Sequence, residues 1–369
     1  MTASLLQENL LRALLRTSRV VPARPQLPII QNVLLSTDEG KLKITATNLE
    51  TTESVWVRAK IEKEGGICVS SRLLSDFVSS LPQGTVQITI KEGALTLLCG
   101  GFRATIPGAA AEEFPPVFSR TGTSEIPVGR DEFVGAISSV AFAAASDEGR
   151  PLLTGVKITK QGGLVVFAAT DGYRLSVKKT ALKLKEELDI LVPAKALGEV
   201  VKVCGEEKET KEVYLSKPTE AQLSFVVGDT EIRTRLIDGE YPNFEKIIPT
   251  KHNTRVLLDK EPLLRAVRSA AVFARDSANI IRFHVENQTV VVSANTPQVG
   301  EDEIDVEARV DGEGGDMAFN SRFLLEFLAN FPEEELLFEM TGSLNPGVFK
   351  PVKDDTYLHI IMPVRVASG

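Results

Sequence analysis

Three cations share one position in three similar segments. Arg72 stands in Val69-Ser70-Ser71-Arg72-Leu73-Leu74, Lys195 in Val192-Pro193-Ala194-Lys195-Ala196-Leu197, and Arg322 in Phe319-Asn320-Ser321-Arg322-Phe323-Leu324. Each falls in the first turn of a predicted helix, where the macrodipole disfavours positive charge by about 0.3–1 kcal/mol. An acid follows four residues later in each (Asp76, Glu199, Glu326), in the weaker cation-first order of an i,i+4 pair. Two readings stand: solvated helix ends with partial ion pairs, or cations kept to meet phosphates without reading bases. The first helix of the first third adds Arg12, Arg16 and Arg19, and its counterpart in the last third adds Arg265 and Arg268. The middle counterpart carries Gly135, Ser138 and Ser139 there.

No reaction centre accompanies these cations. The chain has no GxxxxGK[ST], no GxGxxG opening a helix, no CxxC pair, no HExxH and no GxSxG. Cys68, Cys99 and Cys204 share no metal spacing, nor do His252, His284 and His359, so buried thiols in a reducing compartment are expected. Asp171-Gly172 after an apolar strand reads as a hairpin signal before it reads as a catalytic acid. Neither enzymatic activity nor a cofactor or metal is expected. The net charge of −8 argues against a nucleic-acid binder unless the cations are local. Acidic runs at Glu186-Glu187, Glu206-Glu207, Glu301-Asp302-Glu303 and Glu333-Glu334-Glu335 fall in or beside predicted turns. No apolar run approaches the roughly 18 residues of a membrane span, and the N-terminus lacks a basic-then-apolar signal pattern. A cytoplasmic protein without membrane contact is expected.

The elements that carry these residues repeat three times. The strand pair within residues 30–50 matches the pairs within 153–172 and 280–296, at offsets of about 123 and then 125 residues that divide 369 into thirds. An amphipathic helix opens each third: Leu5 to about Thr17, Asp131 to about Ala144, and Glu261 to about Phe273. A second helix follows the cation-bearing segments, opened by Ser70, Pro193 or Asn320. Each third reads helix, strands, helix, strands, a doubled half-unit of α+β class. The expected domains are 1–122, 123–250 and 251–369.

The thirds differ most at one repeated turn. The first has Thr47-Asn48-Leu49-Glu50 and the third Asn295-Thr296-Pro297-Gln298, whereas the second alone has Thr170-Asp171-Gly172-Tyr173-Arg174-Leu175. Tyr241-Pro242-Asn243-Phe244-Glu245-Lys246-Ile247-Ile248-Pro249 and Ile361-Met362-Pro363-Val364-Arg365 could converge near it. Together they offer the ingredients of a groove for a short apolar peptide. The alternative is a plain linker and an edge strand.

Taken jointly, several segments resemble the bacterial DNA polymerase III beta subunit family, the replicative sliding clamps. They are Arg24-Pro25-Gln26-Leu27-Pro28-Ile29, Thr45-Ala46-Thr47-Asn48-Leu49-Glu50, Glu113-Phe114-Pro115, Arg150-Pro151-Leu152-Leu153-Thr154-Gly155-Val156, Ala169 to Leu175, Tyr241 to Pro249, Leu344-Asn345-Pro346 and Met362-Pro363-Val364-Arg365. They span essentially the whole chain in order. The resemblance implies three tandem DNA-clamp domains, each with two helices on the inner face and antiparallel sheets outside, forming half of a ring. It implies a head-to-tail homodimer that encircles double-stranded DNA without sequence specificity. The implied partners are the DNA polymerase III alpha subunit, the clamp loader through its delta subunit, and other clamp-motif proteins.

By the same resemblance the peptide groove takes Leu153, Thr170, Gly172, Tyr173, Arg174, Leu175, Pro242, Lys246, Ile247, Asn345, Pro346, Ile360, Met362, Pro363, Val364 and Arg365. Tyr173 and Lys246 stand where relatives often have His and Arg. Arg24 matches a family DNA contact, joining Arg12, Arg72, Lys195, Arg265 and Arg322 as DNA-binding candidates; the second family position is Asp147. The family's dimer seam maps to Val272 and Phe273, facing Phe102. Ala270-Ala271-Val272-Phe273-Ala274 is apolar where a surface helix should turn polar, which fits an interface or internal core. A three-domain scaffold that binds peptides but never encircles DNA is the competing reading. An enzyme would need a nucleophile or metal cluster that the sequence does not display.

Overall fold

Apolar-polar patterning builds more of the chain into antiparallel strands than into helices, with two helices in each repeat. The computed structural model describes residues 1–117, 125–147, 149–184, 188–296 and 300–365. The expected boundary at 122–123, Glu186-Glu187 and Pro297-Gln298 lie outside the described residues. The first repeat contains β1 (Thr2–Leu6), α1 (Gln7–Thr17), β2 (Asn32–Asp38), β3 (Lys41–Thr47), β4 (Thr51–Val57), β5 (Lys60–Lys63), β6 (Gly66–Ser70), α2 (Ser71–Ser80), β7 (Thr85–Lys91), β8 (Ala94–Cys99) and β9 (Phe102–Pro107).

The second contains β10 (Ile126–Gly129), α3 (Arg130–Val140), β11 (Gly155–Gln161), β12 (Leu164–Thr170), β13 (Arg174–Thr180), β14 (Asp189–Pro193), α4 (Ala194–Glu206), β15 (Glu212–Thr219), β16 (Gln222–Val227) and β17 (Thr230–Arg235). The third contains β18 (Thr254–Asp259), α5 (Lys260–Ala274), β19 (Ile280–Glu286), β20 (Thr289–Thr296), β21 (Gly300–Gly312), β22 (Gly315–Asn320), α6 (Ser321–Asn330), β23 (Glu335–Met340), β24 (Gly347–Pro351) and β25 (Tyr357–Ile361). The expected helices and strand pairs are present, and a strand precedes each helix.

Local chemistry sets the element ends. Ser70 Oγ accepts from Leu73 N at 3.4 Å, and Asn320 Oδ1 accepts from Arg322 N at 3.0 Å. Each cap contributes about 1 kcal/mol. The β2–β3 turn places both Glu39 (φ 49°) and Gly40 (φ 74°) in the left-handed region, as a two-residue hairpin turn requires.

The chain divides into two compact units, Met1–Asp131 with Lys195–Leu236 and Glu132–Ala194 with Ile237–Gly369. The cut passes through the central repeat, because strands of neighbouring repeats hydrogen-bond across their boundaries. The first unit holds a five-stranded sheet, β5-β1-β7-β8-β9, and an eight-stranded one, β10-β15-β16-β17-β4-β3-β2-β6. There β17 of the second repeat joins β4 of the first, with Thr230 opposite Val55 and Thr234 opposite Thr51. Leu10 and Leu14 of α1 and Leu74 and Val78 of α2 pack over Leu35, Ile44, Val86 and Leu97.

The second unit holds one run of twelve strands, β14-β11-β12-β13-β25-β24-β23-β18-β21-β20-β19-β22. Here β25 of the third repeat joins β13 of the second, with Arg174 opposite Ile361 and Lys178 opposite Tyr357. Leu263, Val267 and Ala270 of α5 and Leu324, Phe327 and Leu328 of α6 cover Phe283, Phe319, Phe338 and Phe349. Phe283 and Phe319 meet edge to face at 5.4 Å. Each such buried side chain stabilises the fold by about 1.5–3 kcal/mol. Among the described residues no helix is long and apolar enough to cross a membrane.

Candidate functional site

The turn that distinguishes the central repeat is shaped by its own polar side chains. Asp171 Oδ1 accepts from Tyr173 N at 2.8 Å and from Arg174 N at 3.0 Å. Thr170 Oγ1 accepts from Gly172 N at 3.0 Å and donates to the Arg174 carbonyl at 2.5 Å. Gly172 has φ of 90°, a left-handed conformation that a side chain would strain. Asp171-Gly172 is therefore a turn-forming pair, as its hairpin reading requires. Thr170 N donates to the Tyr241 hydroxyl at 3.0 Å, which ties the turn to the segment after β17. Burial pushes the Tyr241 phenol above its ordinary pKa, so it remains a neutral partner.

Arg174 is buried, and its guanidinium is committed within the protein. Nε donates to Asp171 Oδ2 at 3.1 Å and Nη2 to the Phe142 carbonyl at 2.7 Å. Nη1 lies 2.6 Å from Glu326 Oε2, a close ion pair off the hydrogen-bond axis. The guanidinium carbon lies 4.7 Å from the Phe323 ring centroid and 5.7 Å from that of Phe142. His359 is fully buried beside it, with Nδ1 2.7 Å from Ser176 Oγ and its ring stacked 4.8 Å from Phe327. Burial first, and then the Arg174 charge, hold His359 well below its ordinary pKa, so it is neutral core.

Around this turn the predicted groove residues sort into buried and exposed ones. Leu175 and Ile360 are buried in a cluster with Val166, Ala168, Val177 and Val348, against which Phe244 and Ile248 pack. Tyr173, Ile247, Met362 and the neighbouring Leu344 expose apolar surface. Met362 N donates to the Tyr173 carbonyl at 2.8 Å, and Val364 N to the Ala318 carbonyl at 2.8 Å. Tyr173 stacks on Phe323 with centroids 6.5 Å apart, and the Arg150 guanidinium lies 5.9 Å from its ring. Gly347 pairs with Ile361, so Pro346 and Met362 adjoin at the strand ends. Pro242 and Lys246 are exposed on either side of Phe244, and Asn345 and Arg365 are exposed while Pro363 is half-buried. Leu153 is half-buried on the short turn Pro151–Thr154, where its N donates to the Arg150 carbonyl at 3.0 Å. Sequence reasoning did not assign Phe142, Arg150, Phe323 or Glu326. Arg150 stood in a family-like segment, Phe323 in the repeated helix segment, and Glu326 was read only as the acid four residues after Arg322.

Arg12, Arg24, Arg72 and Lys195 of the first unit and Arg265 and Arg322 of the second are all exposed. Arg72 Nε approaches Asp76 Oδ2 at 3.8 Å, the weak pair its spacing predicts. The other two acids are drawn elsewhere. Glu199 meets Arg19 at 3.8 Å and Lys202 at 2.7 Å, and Glu326 takes Arg174 rather than Arg322.

Arg16 and Arg19 do not join an exposed basic surface as their helical spacing implied. Arg16 is buried, donating to Glu206 at 2.8 Å, Glu207 at 3.0 Å and Thr230 Oγ1 at 2.7 Å. Arg19 also pairs with Glu206. The end of α4 supplies this acid pair, and desolvated cations need such partners. Glu53 lies in the same cluster, fully buried with neither carboxylate oxygen hydrogen-bonded. Burial, with Glu199 and Glu206 adding and Arg19 and Arg16 opposing, pushes its carboxyl up to about 8.

The three thiols are buried, and burial raises those of Cys68 and Cys204 to about 11. Among the described residues no group of three or more His, Cys, Asp and Glu side chains could hold a metal ion. Val272 and Phe102 expose their side chains, and Phe273 is half-buried with its carbonyl accepting from Thr296 Oγ1 at 2.7 Å.

Comparison with known proteins matches this arrangement end to end. Family models for the DNA polymerase III beta subunit match its N-terminal domain at residues 1–118, its central domain at 127–243 and its C-terminal domain at 245–365. The chain is 31% identical to the beta sliding clamp of Streptomyces coelicolor and 30% identical to that of Synechococcus elongatus, covering 98% of each chain in both cases. Among solved structures it resembles the DNA polymerase III subunit beta of Pseudomonas aeruginosa, with 26% identity, TM-score 0.90, and 99% and 100% of the two chains covered. The beta subunit from Thermotoga maritima is 25% identical with TM-score 0.91 over the whole of both chains. With three clamp domains in tandem and relatives matched over nearly their full length, the chain belongs to the DNA polymerase III beta subunit family, the beta sliding clamps.

Proposed function

We propose that two copies of this chain close head to tail into a ring around duplex DNA. The ring serves as the non-catalytic processivity subunit of a cytoplasmic polymerase III holoenzyme. Its three clamp domains are placed at 1–122, 123–250 and 251–369. One observation carries the reading: two of three equivalent strand edges are already joined. β17 closes β4 and β25 closes β13, whereas among the described residues β9 has an open side and residues 300–307 of β21 have only β20 beside them, β18 pairing with residues 308–312. One chain cannot complete the pattern with its own next repeat; a second copy can.

The first seam's register supplies the pairing. Phe102 and Thr230 each follow a two-residue turn, opposite Cys99 and Val227. Thr52 lies opposite Thr47 and Glu301 opposite Asn295, which aligns Ser54 with Glu303 and Val55 with Ile304. Since Val55 faces Thr230 and Ser54 faces Glu231, Phe102 would face the partner's Ile304 and Arg103 the partner's Glu303. Val272 and Phe273 would cover this seam with apolar surface.

The exposed cations Arg12, Arg24, Arg72, Lys195, Arg265 and Arg322 would contact phosphates weakly and without sequence preference. Such contacts suit a ring that slides, because each neutralised phosphate adds counterion-release affinity and hence drag. The net charge of −8 discourages wrapping of DNA elsewhere on the protein. The groove between Tyr173, Ile247 and Met362 would take the apolar clamp-binding motif of the polymerase alpha subunit, the clamp loader's delta subunit and other partners. Combining Arg174→Ala with deletion of 362–369 should abolish binding of a labelled motif peptide while sedimentation still gives a dimer. Unchanged affinity would remove the groove assignment.

A further inference from the structure

We infer that Glu326, on the same helix as Arg322, is a positioning residue for the peptide groove and acts through Arg174. The inference rests on the groove reading above and names what keeps that groove in shape. The Asp171 carboxylate has two tasks: one oxygen shapes the turn through Tyr173 N and Arg174 N, and the other accepts from Arg174 Nε. Arg174 is thereby the fixed post to which the Tyr173 rim is tied. A buried guanidinium needs its charge and donors satisfied on every side. Asp171 and the Phe142 carbonyl accept on two sides, and Glu326 supplies the balancing charge on the third, 2.6 Å from Nη1 and off its hydrogen-bond axis.

The neighbouring groups offer no substitute. His359 is neutral and buried, the side chains of Phe323 and Phe142 present only ring faces, and the Phe142 carbonyl is already taken by Nη2. Without Glu326, the free Nη1 would compete for Asp171 or draw water between Phe323 and Tyr173. Either change shifts the stack on which the groove's exposed aromatic rests. Glu326 itself is half-exposed, so its effect is intermediate between that of a surface and a buried pair.

The test measures fluorescence anisotropy of a labelled motif peptide on full-length protein. Glu326→Gln should weaken binding about three- to tenfold. Glu326→Asp, which keeps the charge, should recover part of that loss. The double variant Glu326→Gln with Arg174→Gln should bind no worse than Arg174→Gln alone, since both changes break one linkage. Binding by Glu326→Gln within twofold of wild type, or multiplicative losses in the double variant, would overturn the inference. Should Glu326→Gln lower the unfolding midpoint, the Glu326→Asp recovery and the double-variant comparison decide. Failure of the wild-type protein to bind the peptide would instead remove the groove reading itself.

Discussion

Replacing Glu53 with glutamine should stabilise the protein, and increasingly so as pH rises. Its carboxyl is fully buried without a hydrogen-bond partner, and burial raises its pKa from the ordinary 4.5 to about 8. A carboxyl raised in the folded state contributes stability that is fully present below about pH 4.5 and is lost as pH rises through about 8. Between those values unfolding releases a proton, at a cost to the wild type of up to about 1.4 kcal/mol per pH unit. The accumulated penalty reaches about 3 kcal/mol at pH 7 and about 3–5 kcal/mol above pH 8. Glutamine does not titrate, so the gap between variant and wild type isolates this group. Urea unfolding of both proteins at about pH 5, 7 and 9 measures it, through midpoints at constant m. Parallel stability curves for the two proteins would refute the reasoning. So would a gap that narrows with rising pH.

Two further substitutions test the seam and the cations. Aspartate at both Val272 and Phe273 should give folded monomers, seen as a halved mass in sedimentation, because charges would replace the exposed Val272 and half-buried Phe273 side chains at the proposed seam. Replacing Arg72, Lys195 and Arg322 together with glutamate should shorten residence on linear duplex DNA while dimer mass is unchanged. The salt dependence of residence should flatten by roughly 0.9 for each phosphate that is no longer neutralised.

The repeated units were legible because local rules suffice to write them. The continuous apolar run from Leu164 to Ala169 and the helical spacing of Leu74, Phe77, Val78 and Leu81 each determine an element without distant help. The turn at Asp171-Gly172 was legible for the same reason. The seams were not. Arg12 and Arg16 stand one helical turn apart with similar neighbours, yet one is exposed and the other is buried on Glu206, Glu207 and Thr230. The partners that decide this lie about 190 residues away. Glu326 likewise had an obvious partner one turn back in Arg322, but takes an arginine of another repeat. Glu53 sits among the polar residues Thr51 to Ser54 at the start of β4, and the groups that meet it, Arg16, Arg19, Glu199 and Glu206, come from distant parts of the sequence. The compact units also cut through the central repeat, because pairing between repeats is invisible to local pattern.

Retention on DNA topology tests the central claim most directly. Protein loaded onto nicked circular duplex should stay through gel filtration and leave only when a restriction cut opens the circle. Equal escape from circular and linear DNA would contradict a closed ring and leave a peptide-binding scaffold in its place.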